Sequence, residues 1–252
     1  MTPASFKRTI RDLQVWCSSC MVAFAGADPI GVLIGAKRPG GTLIHKIAVH
    51  PEHRRQGHGR HLLTSLGSKL AILGPPRIVA EVPETNLETA ALFRGGGYVQ
   101  EALLTDHVWQ PEELPSPRAA FVIPVTVDDL AANGLLGNDY PPTCWERSVE
   151  TLTARKDHIA GLAVASDEQI EAYILYIERG ALAGAGATEI MALRSFVEDG
   201  GARLTQLLSR LGVRPFRLSK VHPEEISTGL LETLGFRAAD THRVYAATAR
   251  TA

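Results

Sequence analysis

Residues 54–60 read RRQGHGR, between an apolar run, LIHKIAV (43–49), and a helix-period run, HLLTSLGSKLAIL (61–73). Arg54, Arg55 and Arg60 bring charge-assisted donors to this stretch. Gly57 and Gly59 let the backbone approach a ligand with no Cβ in the way. The N–H groups at the start of a following helix are free, and the helix dipole favours an anion there. The chemistry these residues suit is the cradling of a phosphate or diphosphate by backbone amides. A Walker A loop does not fit, because no Lys-Ser or Lys-Thr follows the glycines. A dinucleotide fingerprint does not fit either, since Leu62 stands where its third glycine belongs.

The elements that must position this loop are legible around it. LIHKIAV reads as a strand and HPEH (50–53) as a bend. RIVAEV (77–82) reads as a short buried strand closed by Pro83, and NLETAALFRGGGY (86–98) as a short helix ended by glycines. Arg54-x-x-Gly57-x-Gly59, in the order strand, bend, loop, helix, resembles the pyrophosphate loop of the GNAT acyl-CoA N-acyltransferase superfamily. Asn86, Ala90, Phe93, Gly97 and Tyr98 fall at the spacings of that family's next segment. The resemblance spans roughly residues 43–109.

The resemblance implies a donor, acetyl-CoA, and direct attack of an amine on its thioester. It implies donor contacts at Ile47, Ala48 and Val49 on the strand, and at Arg54, Arg55, Gln56, Gly57, His58, Gly59 and Arg60 on the loop. It adds Asn86, Ala90 and Phe93 from the next segment. The region is similar to ribosomal-protein N-terminal acetyltransferases, where a glutamate at the place of Glu81 acts as base. Burial in an apolar strand would raise such a carboxyl's pKa. His45 is the second candidate base, read as alternating with Leu43, Ile47 and Val49 on one strand face. Histone-type members carry their base two residues earlier, where this chain has Leu43. His107 is a weaker third choice. Many members have tyrosine at Phe93, protonating the leaving thiolate. A free thiolate leaves at a cost of only about 2 kcal/mol at neutral pH, so water can replace that donor.

The chain also resembles itself. MVAFAGADPIGVLIGAKR (21–38) and IAGLAVASDEQIEAYILYIER (159–179) both read as strand, turn, strand. HLLTSL pairs with QLLSRL (206–211), and RIVAEV…GGGY with FRLSKV…TLGF, ending in Gly97-Tyr98 and Gly235-Phe236. The proline-rich PEELPSPRAAFVIP (111–124) lies between. The fold class expected is α/β (α+β): two tandem GNAT folds, each a mixed, mostly antiparallel sheet flanked by helices. The division expected is 1–114, with an intact pyrophosphate loop, and 115–252, a degenerate copy. In the second copy FVEDGGARL (196–204) replaces the loop. Glu198 and Asp199 stand for the basic pair, Leu204 for Gly59 and Glu224 for Asn86. The first copy has a short start, with only about twenty residues before MVAFA.

Composition is compatible with this reading. The chain has 252 residues, 45% hydrophobic and 21% charged, with a formal net charge of −1. No overall field recruits nucleic acid or anionic membrane. No signal peptide and no membrane-spanning run is legible. Three cysteines do not make a disulfide framework, which suggests a cytoplasmic setting. Cys17 and Cys20 are read as small strand residues rather than a redox or zinc pair. His50, His53, His58 and His61 match no zinc spacing and are read as positive charge near phosphate, so no metal is expected. The partner expected is a small-molecule or peptide amine acceptor; the oligomeric state stays open.

Overall fold

Apolar alternation and glycine breaks set the strands of the first part of the chain. The computed structural model describes residues 3–113, 121–137, 142–178 and 186–250. Helix α1 (Pro3–Asp12) comes first, then a 3-10 turn at Cys17–Ser19. Strands β1 (Met21–Ala25), β2 (Asp28–Arg38) and β3 (Gly41–Val49) form an antiparallel meander. A 3-10 turn at Pro51–His53 leads into α2 (His58–Leu73), β4 (Arg77–Pro83), α3 (Leu87–Gly95) and β5 (Val99–Trp109). Next come β6 (Val122–Pro124), α4 (Val127–Ala132) and α5 (Val149–Ala154). The chain ends with β7 (Ala160–Ala165), β8 (Ile170–Ile177), β9 (Thr188–Ser195), α6 (Gly200–Leu211), β10 (Phe216–Val221), α7 (Thr228–Thr233) and β11 (Arg237–Thr248).

The order β-β-β-α-β-α-β therefore occurs twice, from β1 to β5 and from β7 to β11. The repeat extends to backbone conformation. Gly97 and Gly235, each just past the second helix of its copy, have φ of +83° and +94°, a left-handed geometry that side chains disfavour.

Residues up to 103 together with those from 242 onward make one unit, and 104–241 make the other. In the first unit the strands run β1-β2-β3-β4, and the 242–248 part of β11 pairs antiparallel with β4. In the second, the end of β5 pairs antiparallel with β10, which runs parallel to β9, followed by β8, β7 and β6. Each copy's last strand is thus completed in the unit of the other. The 1–114 and 115–252 division differs from this, because strand pairing rather than chain order defines the units. Residues 114 and 115 themselves lie outside the described residues.

Leu62, Leu63, Leu66 and Leu70 put one face of α2 onto Ile44, Ile78 and Ala80, and α3 adds Ala90 and Phe93 to the same core. In the second unit, Leu204, Leu207, Leu208 and Leu211 of α6 pack on Ile174 and Leu218. Tyr173 and Leu175, on the opposite sheet face, pack with Leu130 of α4 and Leu152 of α5. The first unit is more open near β1, where Val22 and Phe24 are 52% and 60% exposed.

Three expectations are corrected. Cys17 lies in a 3-10 turn, not a strand, and strand geometry begins only at Met21. Leu204 is not at an anion loop: α6 starts at Gly200, and Leu204 is buried in the core. The N-cap role that Asn86 has in α3 falls in α7 to Ser227, not to Glu224. Both residues N-cap their helices through the side chain, and α7 starts later because it is shorter than α3. No helix among the described residues is long and apolar enough to cross a membrane.

Candidate functional site

Strands β3 and β4 pair in parallel only at Thr42↔Ile78 and Leu43↔Val79. Beyond these pairs they diverge, so the edge of β3 from Ile44 to Val49 that faces β4 is not used by it. On its other edge β3 stays paired with β2, Ile47 opposite Leu33 and Val49 opposite Gly31. Lys46 stands opposite Ile34 and Ile44 opposite Gly35, which leaves His45 as an extra, bulged residue.

The loop after β3 enters α2 without a side-chain cap. The first bond of the helix is from His61 N–H to the Gly57 carbonyl, 2.9 Å. The N–H groups of His58, Gly59 and Arg60 precede it and have no partner within the helix. Gly57, the N-cap, has φ +89°, and Arg55 is held at φ +63°. Two left-handed residues in so short a loop turn its amides sharply, as in anion-binding nests. Arg54 Nε donates to the Val49 carbonyl at 3.1 Å, fastening the loop to the strand end. No acidic residue stands in the first turn of α2.

A cavity of about 670 Å³ opens at this helix start. Its wall carries ten of the expected donor-site residues: Ile47, Ala48, Val49, Arg54, Arg55, Gly57, His58, Gly59, Arg60 and Asn86. Asn86 accepts from Thr89 N–H through Oδ1 at 3.1 Å, leaving its amide nitrogen as a donor. Three expected residues lie elsewhere. Gln56 donates to the Glu52 carbonyl at 3.1 Å. Ala90 and Phe93 are 0% and 1% exposed in the core, with Phe93 edge-on to Tyr98 at 5.1 Å. A helix residue one position off the cavity face turns by about 100°, which is enough to move it from wall to core. Glu88, Thr89, Ala91, Leu92 and His53 complete the wall. Of these only His53 had a signal in the sequence, its place in the histidine cluster.

The candidate bases are not on this wall. Glu81 is half-buried on β4, opposite Val244. It points away from the core that Ile78, Ala80 and Val82 enter. His45 does not share a face with Ile47 by simple alternation, because the bulge intervenes: Ile44 and Ile47, three apart, both meet the α2 core. His107 belongs to the second unit, opposite Leu218. It is buried, and burial pushes its imidazole pKa down. Among the described residues, no group of three or more His, Cys, Asp or Glu is placed to hold a metal.

The strand, glycine loop and helix start fall within a stretch that resembles a known family. Residues 3–98 match the acetyltransferase (GNAT) family model. These residues lie in the first unit, which is similar in sequence to GNAT acetyltransferases. Solved structures of the same fold include a tandem GNAT protein from the clavulanic acid biosynthesis pathway, at 17% identity and TM-score 0.65, over 92% of this chain and 83% of that one. A GCN5-related N-acetyltransferase from Sphaerobacter thermophilus gives 15% identity and 0.65, over 97% and 85%. The glucosamine N-acetyltransferase region of a fungal multi-domain β-N-acetylglucosaminidase gives 12% and 0.66, over 90% and 33%. At these identities the likeness is one of fold.

Against the first unit, the second differs at both parts of the site. Its strand-to-helix loop is shorter, running from Phe196 to Asp199, and the N-cap of α6 is acidic, Asp199, which makes no side-chain cap bond. Its strands β9 and β10 also pair only briefly, from Thr188↔Phe216 to Ile190↔Leu218. Where they diverge stands Arg147. Its guanidinium donates to the carbonyls of Ser219 (2.7 Å), Lys220 (3.3 Å) and Met191 (3.5 Å), and to both Glu225 carboxylate oxygens. Arg147 and Glu225 side chains are 1% and 4% exposed. The fork that stays open in the first unit is bridged here by a buried ion pair.

Proposed function

We propose that the first unit binds acetyl-CoA and transfers its acetyl group to the primary amine of a small molecule or peptide. One observation carries the reading: the uncapped helix start His58–Arg60 lines a cavity that Arg54 and Arg55 also line, beside a strand fork. A diphosphate suits that donor set, and Gly57 and Gly59 leave room for it. The open edge of β3 at Ile47–Val49 offers backbone groups to an amide-bearing arm and an N–H for a developing oxyanion. A bound donor supplies an activated thioester carbonyl. Glu81 is the base of first choice for the incoming ammonium, and His45, re-aimed by the bulge, the second. Phe93 offers no proton to the leaving sulfur, so that proton comes from water. The second unit, with its bridged fork and acidic N-cap, is read as a degenerate GNAT copy that holds no donor.

The test is thiol release from acetyl-CoA with a panel of amines and peptides. Glu81→Gln should lower turnover by roughly 10²-fold, with coenzyme affinity barely changed. Full activity in that variant would make Glu81 structural and move the test to His45. A second reading, a non-catalytic acyl-CoA-binding module, is favoured by the core position of Phe93 and by the absence of both candidate bases from the cavity wall. Tight binding of acetyl-CoA without turnover on any amine would establish it.

A further inference from the structure

Cys17 and Cys20 play no part in the donor site. A strand would hold their Cα atoms about 10 Å apart, three residues of extended chain. The chain instead makes a 3-10 turn at Cys17–Ser19. Cys20 N–H donates to the Cys17 carbonyl at 3.0 Å, and Ser19 N–H to the Trp16 carbonyl at 2.8 Å. A turn of this kind keeps its first and fourth Cα atoms within about 7 Å. A disulfide spans about 4.4–6.8 Å between Cα atoms, so the turn brings the pair into its range. The Cys20 thiol donates to the Trp16 carbonyl at 3.3 Å, and that carbonyl belongs to the peptide leading into Cys17. Ser19 is fully buried under the turn, packed so closely on β2 that a Cβ at Gly35 would collide with its carbonyl. Cys17 is left exposed, Cys20 is half-buried, and both are free thiols.

We propose that Cys17 and Cys20 are a reversible disulfide site, closed and opened by exchange with a small disulfide of the glutathione class. This is independent of the donor-site reading. Cys17, the exposed sulfur, is the one an outside disulfide reaches. Its thiolate attacks one sulfur of glutathione disulfide. That S–S bond breaks, and one glutathione leaves as a thiolate and takes a proton from water. Cys17 then carries the other glutathione as a mixed disulfide. Cys20, having given its proton to water, attacks the Cys17 sulfur and expels the second glutathione. In sum the chain loses two hydrogens and gains one S–S bond, and glutathione disulfide is reduced to two thiols. Excess glutathione drives the same steps in reverse. The second attack is intramolecular, and the turn gives it the advantage of proximity. Cys144 is buried in the second unit, away from the reagent.

The experiment incubates the reduced full chain with glutathione disulfide, quenches with acid, alkylates the remaining thiols and weighs the tryptic peptide Asp12–Lys37, which holds both cysteines. Wild type should yield this peptide lighter by two hydrogens and free of alkyl groups. Dithiothreitol should restore both thiols to alkylation. Cys20→Ser should stop at the mixed disulfide on Cys17. Cys17→Ser should take up glutathione about tenfold more slowly than Cys20→Ser, because its remaining thiol is less accessible. Circular dichroism checks the fold of each variant. A wild-type chain that stops at the mixed disulfide, that links only to a second chain, or that keeps both thiols would overturn the proposal.

Discussion

Tyr245 lies flat against Phe93, with ring centroids 5.8 Å apart and the planes 12° from parallel. Phe93 comes from α3 of the first copy, and Tyr245 from the strand that ends the second. The tyrosine is fully buried, opposite Ala80 on β4, and its hydroxyl accepts from Arg94 Nη1 at 3.4 Å. Nearby, Arg243 donates to Glu84 at 2.8 Å. The core beneath the donor site is therefore closed by residues near the chain's end.

Tyr245→Ala should destabilise the first unit by about 3–5 kcal/mol, the range for emptying a large aromatic site. Tyr245→Phe should cost far less, since it keeps the buried ring and removes only the hydroxyl. Chain ended after Phe236 should lose coenzyme binding, although every residue of the loop remains. Denaturant unfolding and calorimetry check this. Undiminished binding by the shortened chain would show that the last strand is dispensable.

Gly59→Glu should weaken coenzyme A binding at least tenfold. An added Cβ meets only the tips of Leu92, at 3.2 and 3.3 Å, and those side-chain atoms can yield. The fold should survive while a negative charge enters the diphosphate site. An unchanged dissociation constant with intact circular dichroism would put the donor elsewhere.

Arg147→Met should destabilise the second unit by about 3–5 kcal/mol, because it leaves the Glu225 carboxylate buried without its partner. Arg147→Met with Glu225→Leu should recover most of that loss, since two apolar groups need no partner. Urea unfolding of the two variants decides it. A single variant as stable as wild type would mean the ion pair contributes nothing to the closed fork.

His107 gives the pH prediction. Burial holds its folded-state pKa below the ordinary value. At high pH the ring is neutral in both states. As pH falls below the unfolded value, near 6.5, the unfolded chain binds a proton that the folded one resists. Its contribution to stability is thus present above the unfolded pKa and lost as pH falls towards the lower folded one. Unfolding free energy should drop between pH 7 and pH 5 by less in His107→Leu than in wild type. Equal slopes would show that His107 is not the group responsible.

Much of this was legible in the chain. The loop, its flanking elements and the repeat could be read because each rests on local chemistry: glycines for left-handed turns, leucines at helical spacing, a proline ending β4. What was not legible is long-range. Nothing in RAADTHRVYAAT says that it pairs with RIVAEVP, since both are ordinary alternating strands. The bulge at His45 adds one residue to a strand that reads as regular, which moved the expected face. Phe93 matched a family spacing, yet on a helix that spacing is consistent with either wall or core. Arg147 carried no signal, as a lone arginine in a polar stretch reads as surface.

The most direct test of the account is the stoichiometry of coenzyme A binding to the full chain by calorimetry. The open fork and uncapped helix of the first unit, with the bridged fork of the second, predict one micromolar site per chain. Two equivalent sites would contradict the degenerate reading of the second unit, and no binding at millimolar ligand would contradict the donor site itself.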